Sequence, residues 1–418
     1  MDEVWIEGGR GLKGSVAISG SKNATLPILT ATLLAPGVYR FTNVPALKDV
    51  STMLELLTLF GVRSRREDGG TLVVDSTNAH NTEAPYDLVK TMRASVYVLG
   101  PLLARFGEAR VSLPGGCAWG PRPVDLHIRG MQQLGADVEL EHGYIVARAA
   151  ALRGNVISFD ISSVGATGNL LMAAATAGGE TVIENAACEP EIEALGRFLV
   201  SMGARVEGLG TPRVSIKGST ELHVASAAMI PDRIEAGTFL AAAALTGGDV
   251  ETAGVDPRHL GSILNKLEAA GVSVEASETA VRVRAPKRLR PLSVTTAPYP
   301  GFPTDMQAQF MALLSVADGA STIVDTIYQD RFTHVAELQR LGADIRVEGN
   351  TAFVQGVDSL SGAPVMATDL RASAALILAG LVATGETRVS RVYHLDRGYE
   401  RIEEKLQGLG AAIRRVRA

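Results

Sequence analysis

A short tag recurs six times along the chain: an apolar helix end, a glycine, an alanine or valine, then an alternating segment. It reads Leu59-Phe60-Gly61-Val62, Leu134-Gly135-Ala136, Met202-Gly203-Ala204, Ala270-Gly271-Val272, Leu341-Gly342-Ala343 and Leu409-Gly410-Ala411. The copies lie about 70 residues apart, so each marks one supersecondary unit. The glycine suits a helix C′ position, where φ > 0 is wanted. Upstream of the tags run Ala/Leu-rich segments at 26–34, 97–104, 170–177, 239–245, 306–316 and 372–382, each closed by a nearby glycine. They are apolar on nearly every face, as helices buried in the middle of a domain must be. Alternating stretches such as Thr71-Leu72-Val73-Val74, Val138-Glu139-Leu140 and Val281-Arg282-Val283-Arg284 read as strands. Each unit is therefore expected to run strand, buried helix, strand, outer helix, two strands.

Six such units exceed one core, and 418 residues suit two domains of three units each. The break is expected near Ile230-Pro231-Asp232, and Val4-Trp5-Ile6 is a spare strand able to complete the far domain. Hydrophobic residues make up 46% and aromatic ones only 5%, so the cores are built of Ala, Val, Leu and Ile. No apolar run reaches the ~18 residues of a membrane span. The start, Met1-Asp2-Glu3-Val4-Trp5, lacks a signal peptide's basic and apolar regions, and a cytoplasmic protein without membrane insertion is expected. A net charge of −5 argues against a nucleic-acid partner. Cys117 and Cys188 have no metal-ligand spacing, and the histidines form no HExxH, so no metal is expected. Walker A and strand-bound GxGxxG patterns are missing as well, which leaves ATPase and dinucleotide readings without support.

Chemistry concentrates in two kinds of place. The first is the stretch Pro114-Gly115-Gly116-Cys117-Ala118-Trp119-Gly120-Pro121-Arg122-Pro123-Val124-Asp125-Leu126-His127. Its glycines and prolines make it a loop, and Arg122 beside Cys117 favours a reactive thiolate over a buried thiol. The second is the start of each buried helix. Lys22-Asn23, Arg93, Ser163-Val164-Gly165-Ala166-Thr167, Asp232-Arg233, Asp305 and Asp369-Leu370-Arg371 all fall there. Helix N-termini favour anions, so a common cleft lined by them would take a phosphorylated substrate. Ser, Thr and Asp at these positions equally suit ordinary N-caps. Lys22, Arg93 and Arg371 oppose the helix dipole and need another reason to be there. Arg122, Arg331 and Arg397, with Lys22, suit a clamp on a carboxylate and a phosphate, although surface ion pairs are the commoner fate of an arginine. His127 reads as structural from its position alone.

Jointly, Lys22-Asn23, the Pro114-Gly115-Gly116-Cys117 loop running into Arg122-Pro123-Val124-Asp125-Leu126-His127, Ser163 to Thr167, and Asp369-Leu370-Arg371 resemble the motifs of the UDP-N-acetylglucosamine enolpyruvyl transferases, the 1-carboxyvinyltransferases. The similarity runs from Ile6-Glu7-Gly8-Gly9 to the C-terminus. It implies an α/β fold of two similar domains, each an inside-out α/β barrel of three βαβαββ repeats. The first domain would span 22–229, and the second 1–21 with 230–418. It also implies enolpyruvyl transfer from phosphoenolpyruvate to the sugar 3′-hydroxyl, the first committed step of peptidoglycan synthesis, with no cofactor.

The resemblance assigns catalytic roles to Cys117, Asp305, Lys22 and Arg397. Phosphoenolpyruvate would lie near Lys22, Arg122 and Arg397. Cys117 would protonate the enolpyruvyl methylene and could carry a covalent phosphoenolpyruvate adduct, and Asp305 would take the hydroxyl proton. Substrate contacts would come from Asn23, Arg93, Arg122, Pro123, Val124, Asp125, Leu126, Ser163, Val164, Gly165, Asp305, Ile327, Arg331, Asp369 and Arg371. Two positions depart from the pattern: Ser21 stands where many relatives have alanine, and Trp119 is bulkier than usual. Two alternatives are the 3-phosphoshikimate 1-carboxyvinyltransferases of the same fold, which lack the cysteine loop, and a non-catalytic UDP-sugar binder. A binder has no need of both an acid and a base.

Overall fold

A computed structural model describes residues 2–68, 70–113, 124–328 and 330–417. The chain forms two compact units, one of Met1–Ser19 with Pro231–Ala418, the other of Gly20–Ile230. Each has its own apolar core, and the two cores share no residue.

The glycine tag does the same work six times. Gly61, Gly135, Gly203, Gly271, Gly342 and Gly410 all have φ between 90° and 108°. The amide after each glycine returns to a carbonyl in the helix's last turn: Val62 to Leu57 at 3.2 Å, Ala136 to Met131 at 3.0 Å, Ala411 to Leu406 at 3.0 Å, with the other three alike. This left-handed closure ends the outer helix and aims the chain into the next strand.

In the Gly20–Ile230 unit the helices Lys22–Ala31, Leu99–Phe106 and Val164–Ala174 contribute heavily to the core. Among the described residues three four-stranded sheets accompany them. In each sheet the first two strands are parallel, as a helical crossover requires, and a hairpin adds the antiparallel remainder. The first repeat has no preceding strand of its own. Ser226–Ala228, from the end of the same unit, takes that place, parallel to Val38–Thr42.

The other unit is built alike around Arg233–Leu245, Gln307–Leu314 and Leu370–Val382. Lys13–Ala17 opens its first sheet, parallel to Asp249–Ala253. The last repeat ends with a single strand, Ala412–Val416, and Glu3–Glu7 fills the gap between it and Glu386–Ser390. Strand faces follow the alternation: Val281 and Val283 are buried while Arg282 and Arg284 point to solvent, where Arg282 grips Asp249 with both ends of its guanidinium, at 2.7 and 2.8 Å.

A buried ion pair pins the N-terminal segment to this unit. Glu235 is almost wholly buried and accepts from Ser19 N at 2.7 Å, while Lys405 Nζ lies 2.7 Å from both the Glu235 carboxylate and Ser19 Oγ. Removing the cation would leave Glu235 buried without its charge partner. Lys405→Met is expected to lower unfolding stability by about 3 kcal/mol, with Glu235→Gln/Lys405→Met recovering part of it; urea titration checks both.

Candidate active site

The polar helix starts are capped from their own sequence. Ser21 Oγ accepts from Ala24 N at 3.3 Å and Ser163 Oγ from Ala166 N at 3.3 Å. Asp232 Oδ1 accepts from Ile234 N and Glu235 N, and Asp369 Oδ1 from Arg371 N and Ala372 N, all at 2.8–3.1 Å. These four side chains are therefore N-caps, each worth about 1 kcal/mol to its helix, whatever else they touch. At position 21 the serine supplies a cap that alanine cannot.

Two of the cations at helix starts, Lys22 and Arg371, have carboxylate partners. Lys22 Nζ lies 3.2 Å from Asp49 Oδ2, and Asp49 is buried. Arg371, 2% exposed, places Nη2 2.8 Å from Asp305 Oδ2, and Arg331, 6% exposed, places Nη2 2.8 Å from Asp305 Oδ1. Asp305 sits in a single 3-10 turn, Thr304–Met306, leading into the helix Gln307–Leu314. Burial by itself would raise its carboxyl; the charges of Arg371 and Arg331 and their hydrogen bonds override this and hold it well below the usual carboxylate range. Arg371 Nε and Nη1 are buried and make no hydrogen bond with described residues.

A second polar group backs this triad. Tyr399, at the end of the Asp396-Arg397-Gly398-Tyr399 run, places its ring 5.4 Å from the Arg371 guanidinium carbon. Thr238 Oγ1 donates to Ile234 O at 2.7 Å, which uses its one proton, so the Tyr399 hydroxyl donates to Thr238 across 2.9 Å. Gln309 Nε2 binds Thr238, Tyr399 and Asp305 O at 2.9–3.1 Å. Arg397 closes the short helix Val392–Arg397 and is half-buried. Ile327 is exposed at the side chain, while its amide donates to Asp325 Oδ1 at 2.9 Å.

In the other unit, Val124, Asp125 and Leu126 begin the helix Asp125–Gln133, and Asp125 is 3.8 Å from Arg129. His127 on the same helix is buried against Asn169. Asn169 Oδ1 accepts from Gly100 N at 2.6 Å, so its Nδ2 donates, to Val96 O at 2.8 Å and toward His127 Nδ1 at 3.0 Å. The ring proton therefore resides on Nε2. A Cβ at Gly165 would lie 3.2 Å from that nitrogen, so glycine at 165 leaves room for the ring. Arg93 and Asn23 are exposed and partly exposed at their helix starts. Cys117, Trp119, Arg122 and Pro123 lie outside the described residues.

The structure thus brings Asp305, Arg331 and Arg371 together, with Asp369 capping the helix that carries Arg371. Asp49, Asn169, Gln309, Asp325 and Tyr399 were not singled out from the sequence. Asn169 and Gln309 did leave a signal: each is an amide in a helix otherwise buried and largely apolar. Among the described residues no His/Cys/Asp/Glu group could hold a metal ion, and no helix is long and apolar enough to cross a membrane.

A family model for EPSP synthase (3-phosphoshikimate 1-carboxyvinyltransferase) matches residues 6–406. The UDP-N-acetylglucosamine 1-carboxyvinyltransferase of Trichlorobacter lovleyi is 58% identical over 417 residues, covering 100% of this chain and 99% of its own. That of Geobacter metallireducens is 57% identical over 418 residues, all of both chains. The solved enolpyruvyl transferase NikO from Streptomyces tendae has a TM-score of 0.89 at 27% identity, covering 100% of this chain and 99% of that one. An EPSP synthase from Acinetobacter baumannii, at a TM-score of 0.77 and 18% identity over all of both chains, shares the fold. The fold is that of the enolpyruvyl transferases, and the chain belongs to this family. Its two relatives at 57% and 58% identity are UDP-N-acetylglucosamine 1-carboxyvinyltransferases.

The buried histidines give the protein an acid limit. Burial, opposed by the charge of Asp125, pushes His127 down to about 4, and burial does the same to His334 in the other unit. Both pKa values are lower folded than unfolded, so their stabilisation is full above about pH 6.5 and lost as pH falls toward 4, about 3 kcal/mol each at most. Urea midpoints are expected to fall across that window, and less steeply in His127→Gln.

Proposed function

We propose that the chain transfers the enolpyruvyl group of phosphoenolpyruvate to the 3′-hydroxyl of UDP-N-acetylglucosamine with release of phosphate, the first committed step of peptidoglycan synthesis, in the cytoplasm. The observation that carries the reading on the structural side is the Asp305 carboxylate gripped by Arg331 and Arg371 at a helix start. Full-length identity to transferases of that name supports the choice of acceptor.

In the proposed chemistry the hydroxyl oxygen bonds to C2 of phosphoenolpyruvate while C3 takes a proton, giving a tetrahedral phospholactoyl sugar. The C2–O bond to phosphate then breaks, a C3 proton leaves, and the vinyl ether is formed. Cys117 is the acid toward C3. Asp305 is the group that receives the hydroxyl proton. Held far below the usual carboxylate range, it is ionised and able to accept, yet weakly basic. Transfer to it becomes favourable only as the C–O bond forms and the attacking oxygen turns strongly acidic. Before that point Asp305 orients the hydroxyl.

Lys22, Arg122 and Arg397 hold the phosphate and carboxylate of phosphoenolpyruvate, neutralising charge as it moves onto the leaving phosphate. The Nε and Nη1 groups of Arg371, three N–H donors, are offered to a substrate anion or an ordered water. Asn23, Arg93, Val124, Asp125, Leu126, Ser163, Val164, Gly165 and Ile327 belong, with Arg122 and Pro123, to the sugar-nucleotide side of the proposal, while Arg331 and Asp369 serve it through Asp305 and through the helix that carries Arg371.

Phosphate release from phosphoenolpyruvate is expected to require UDP-N-acetylglucosamine, to proceed without added metal, and to fail with shikimate 3-phosphate. Asp305→Asn should lower kcat about a hundredfold or more. Cys117 should gain the mass of fosfomycin, an epoxide that alkylates such a thiol, and Cys117→Ser should not. Release that ignores the sugar nucleotide overturns the reading.

A further inference from the structure

We infer that Asp325, which carries no assigned role, is a positioning residue for the transfer reaction. The inference rests on the functional reading above. Asp325 is wholly buried at the end of the strand Ala320–Val324. Its Oδ1 accepts three hydrogen bonds, from Thr296 Oγ1 at 2.9 Å, Ile327 N at 2.9 Å and Tyr328 N at 3.0 Å. Its Oδ2 accepts from Thr304 Oγ1 at 2.7 Å. A carboxylate with this many converging donors fixes each of them, because any donor it released would be left without a partner.

Two arms of the site hang from this one group. The first runs through Thr304, the residue before Asp305. Thr304 has one hydroxyl proton and gives it to Asp325, so only lone pairs face Arg331, whose Nη1 donates to Thr304 Oγ1 at 2.9 Å. The other nitrogen of that fork, Nη2, lies 2.8 Å from Asp305 Oδ1. The direction of the chain is therefore set throughout: Arg331 to Thr304 to Asp325. Asp325 orients the guanidinium that orients Asp305. The second arm is the backbone turn at Ile327–Tyr328, which carries the exposed Ile327 side chain. Thr296 braces the same turn, accepting from Thr326 N at 3.0 Å and from Thr326 Oγ1 at its carbonyl at 2.6 Å.

Substitution by asparagine cannot keep both arms. With the oxygen toward Ile327 and Tyr328, the amide nitrogen meets Thr304, takes away its acceptor and competes with Arg331 for its lone pairs. With the amide reversed, three donors meet an NH₂ group. The charge distribution predicts a divided effect. Thr304→Val breaks only the Arg331 arm, so kcat should fall roughly tenfold with little change in KM for the sugar nucleotide. Thr304→Ser keeps the hydroxyl and should restore kcat to near the unsubstituted value. Asp325→Asn breaks one arm or the other, so it should lower kcat as Thr304→Val does or raise KM for UDP-N-acetylglucosamine.

The experiment is steady-state phosphate release with UDP-N-acetylglucosamine varied, alongside calorimetric binding of the same nucleotide and thermal melts of each variant. A kcat loss in Thr304→Val at unchanged Tm, rescued by Thr304→Ser, supports the inference. Weakened nucleotide binding in folded Asp325→Asn supports the second arm. Wild-type kcat in Thr304→Val, or losses that track the fall in Tm and vanish on cooling, overturns it; Thr304→Val decides alone if Asp325→Asn does not fold. The functional reading fails separately: the unsubstituted protein would then release no phosphate that depends on the nucleotide, and the inference would fall with it.

Discussion

A helix that is apolar on every face can present chemistry only at its ends. That constraint organises both units. The helices Val164–Ala174 and Leu370–Val382 bury nearly all their side chains, so apart from internally bonded groups such as Asn169 their polar residues lie near the first turn. There the free N–H groups and the dipole favour negative charge. Ser163 and Asp369 meet this locally as caps.

The same constraint explains the cations. Lys22 and Arg371 sit where the helix dipole disfavours them, and each is balanced by a carboxylate from elsewhere, Asp49 and Asp305. The pairing has a chemical price. Asp305 is kept ionised by the two guanidiniums that also make it a weak base. A site built this way suits a reaction in which the proton donor becomes acidic as the new bond forms. Tyr399, fixed by Thr238 and Gln309, lies with its ring against Arg371, and Thr304 with Asp325 holds Arg331.

Much of this was legible from the chain. The six glycines needed no tertiary information: an apolar helix end followed by Gly-Ala or Gly-Val calls for a left-handed residue, and all six adopt one. The buried helices were legible because no charged residue interrupts their central turns. Asp305, Arg331 and Arg371 were legible as candidates. That Asp305 is held by both arginines was not, since the partners lie 26 and 66 residues away in sequence and no local pattern records such a distance. Asp325 was invisible for a similar reason: an aspartate after a strand usually marks a turn, and only the fold shows four donors converging on it.

Sequence alone determined the repeating unit, the helices that would be buried, and the residue types at their starts, because periodicity and backbone preference act over a few residues. Tertiary structure decided which open places in the sheets were filled. Glu3–Glu7 lies beside Ala412–Val416, and Ser226–Ala228 beside Val38–Thr42. A strand's alternation tells which face it buries, but its partner is whichever edge the rest of the unit leaves unpaired. The site followed the same rule: local sequence supplied the charges, and the packing of helix starts from distant repeats decided which of them met.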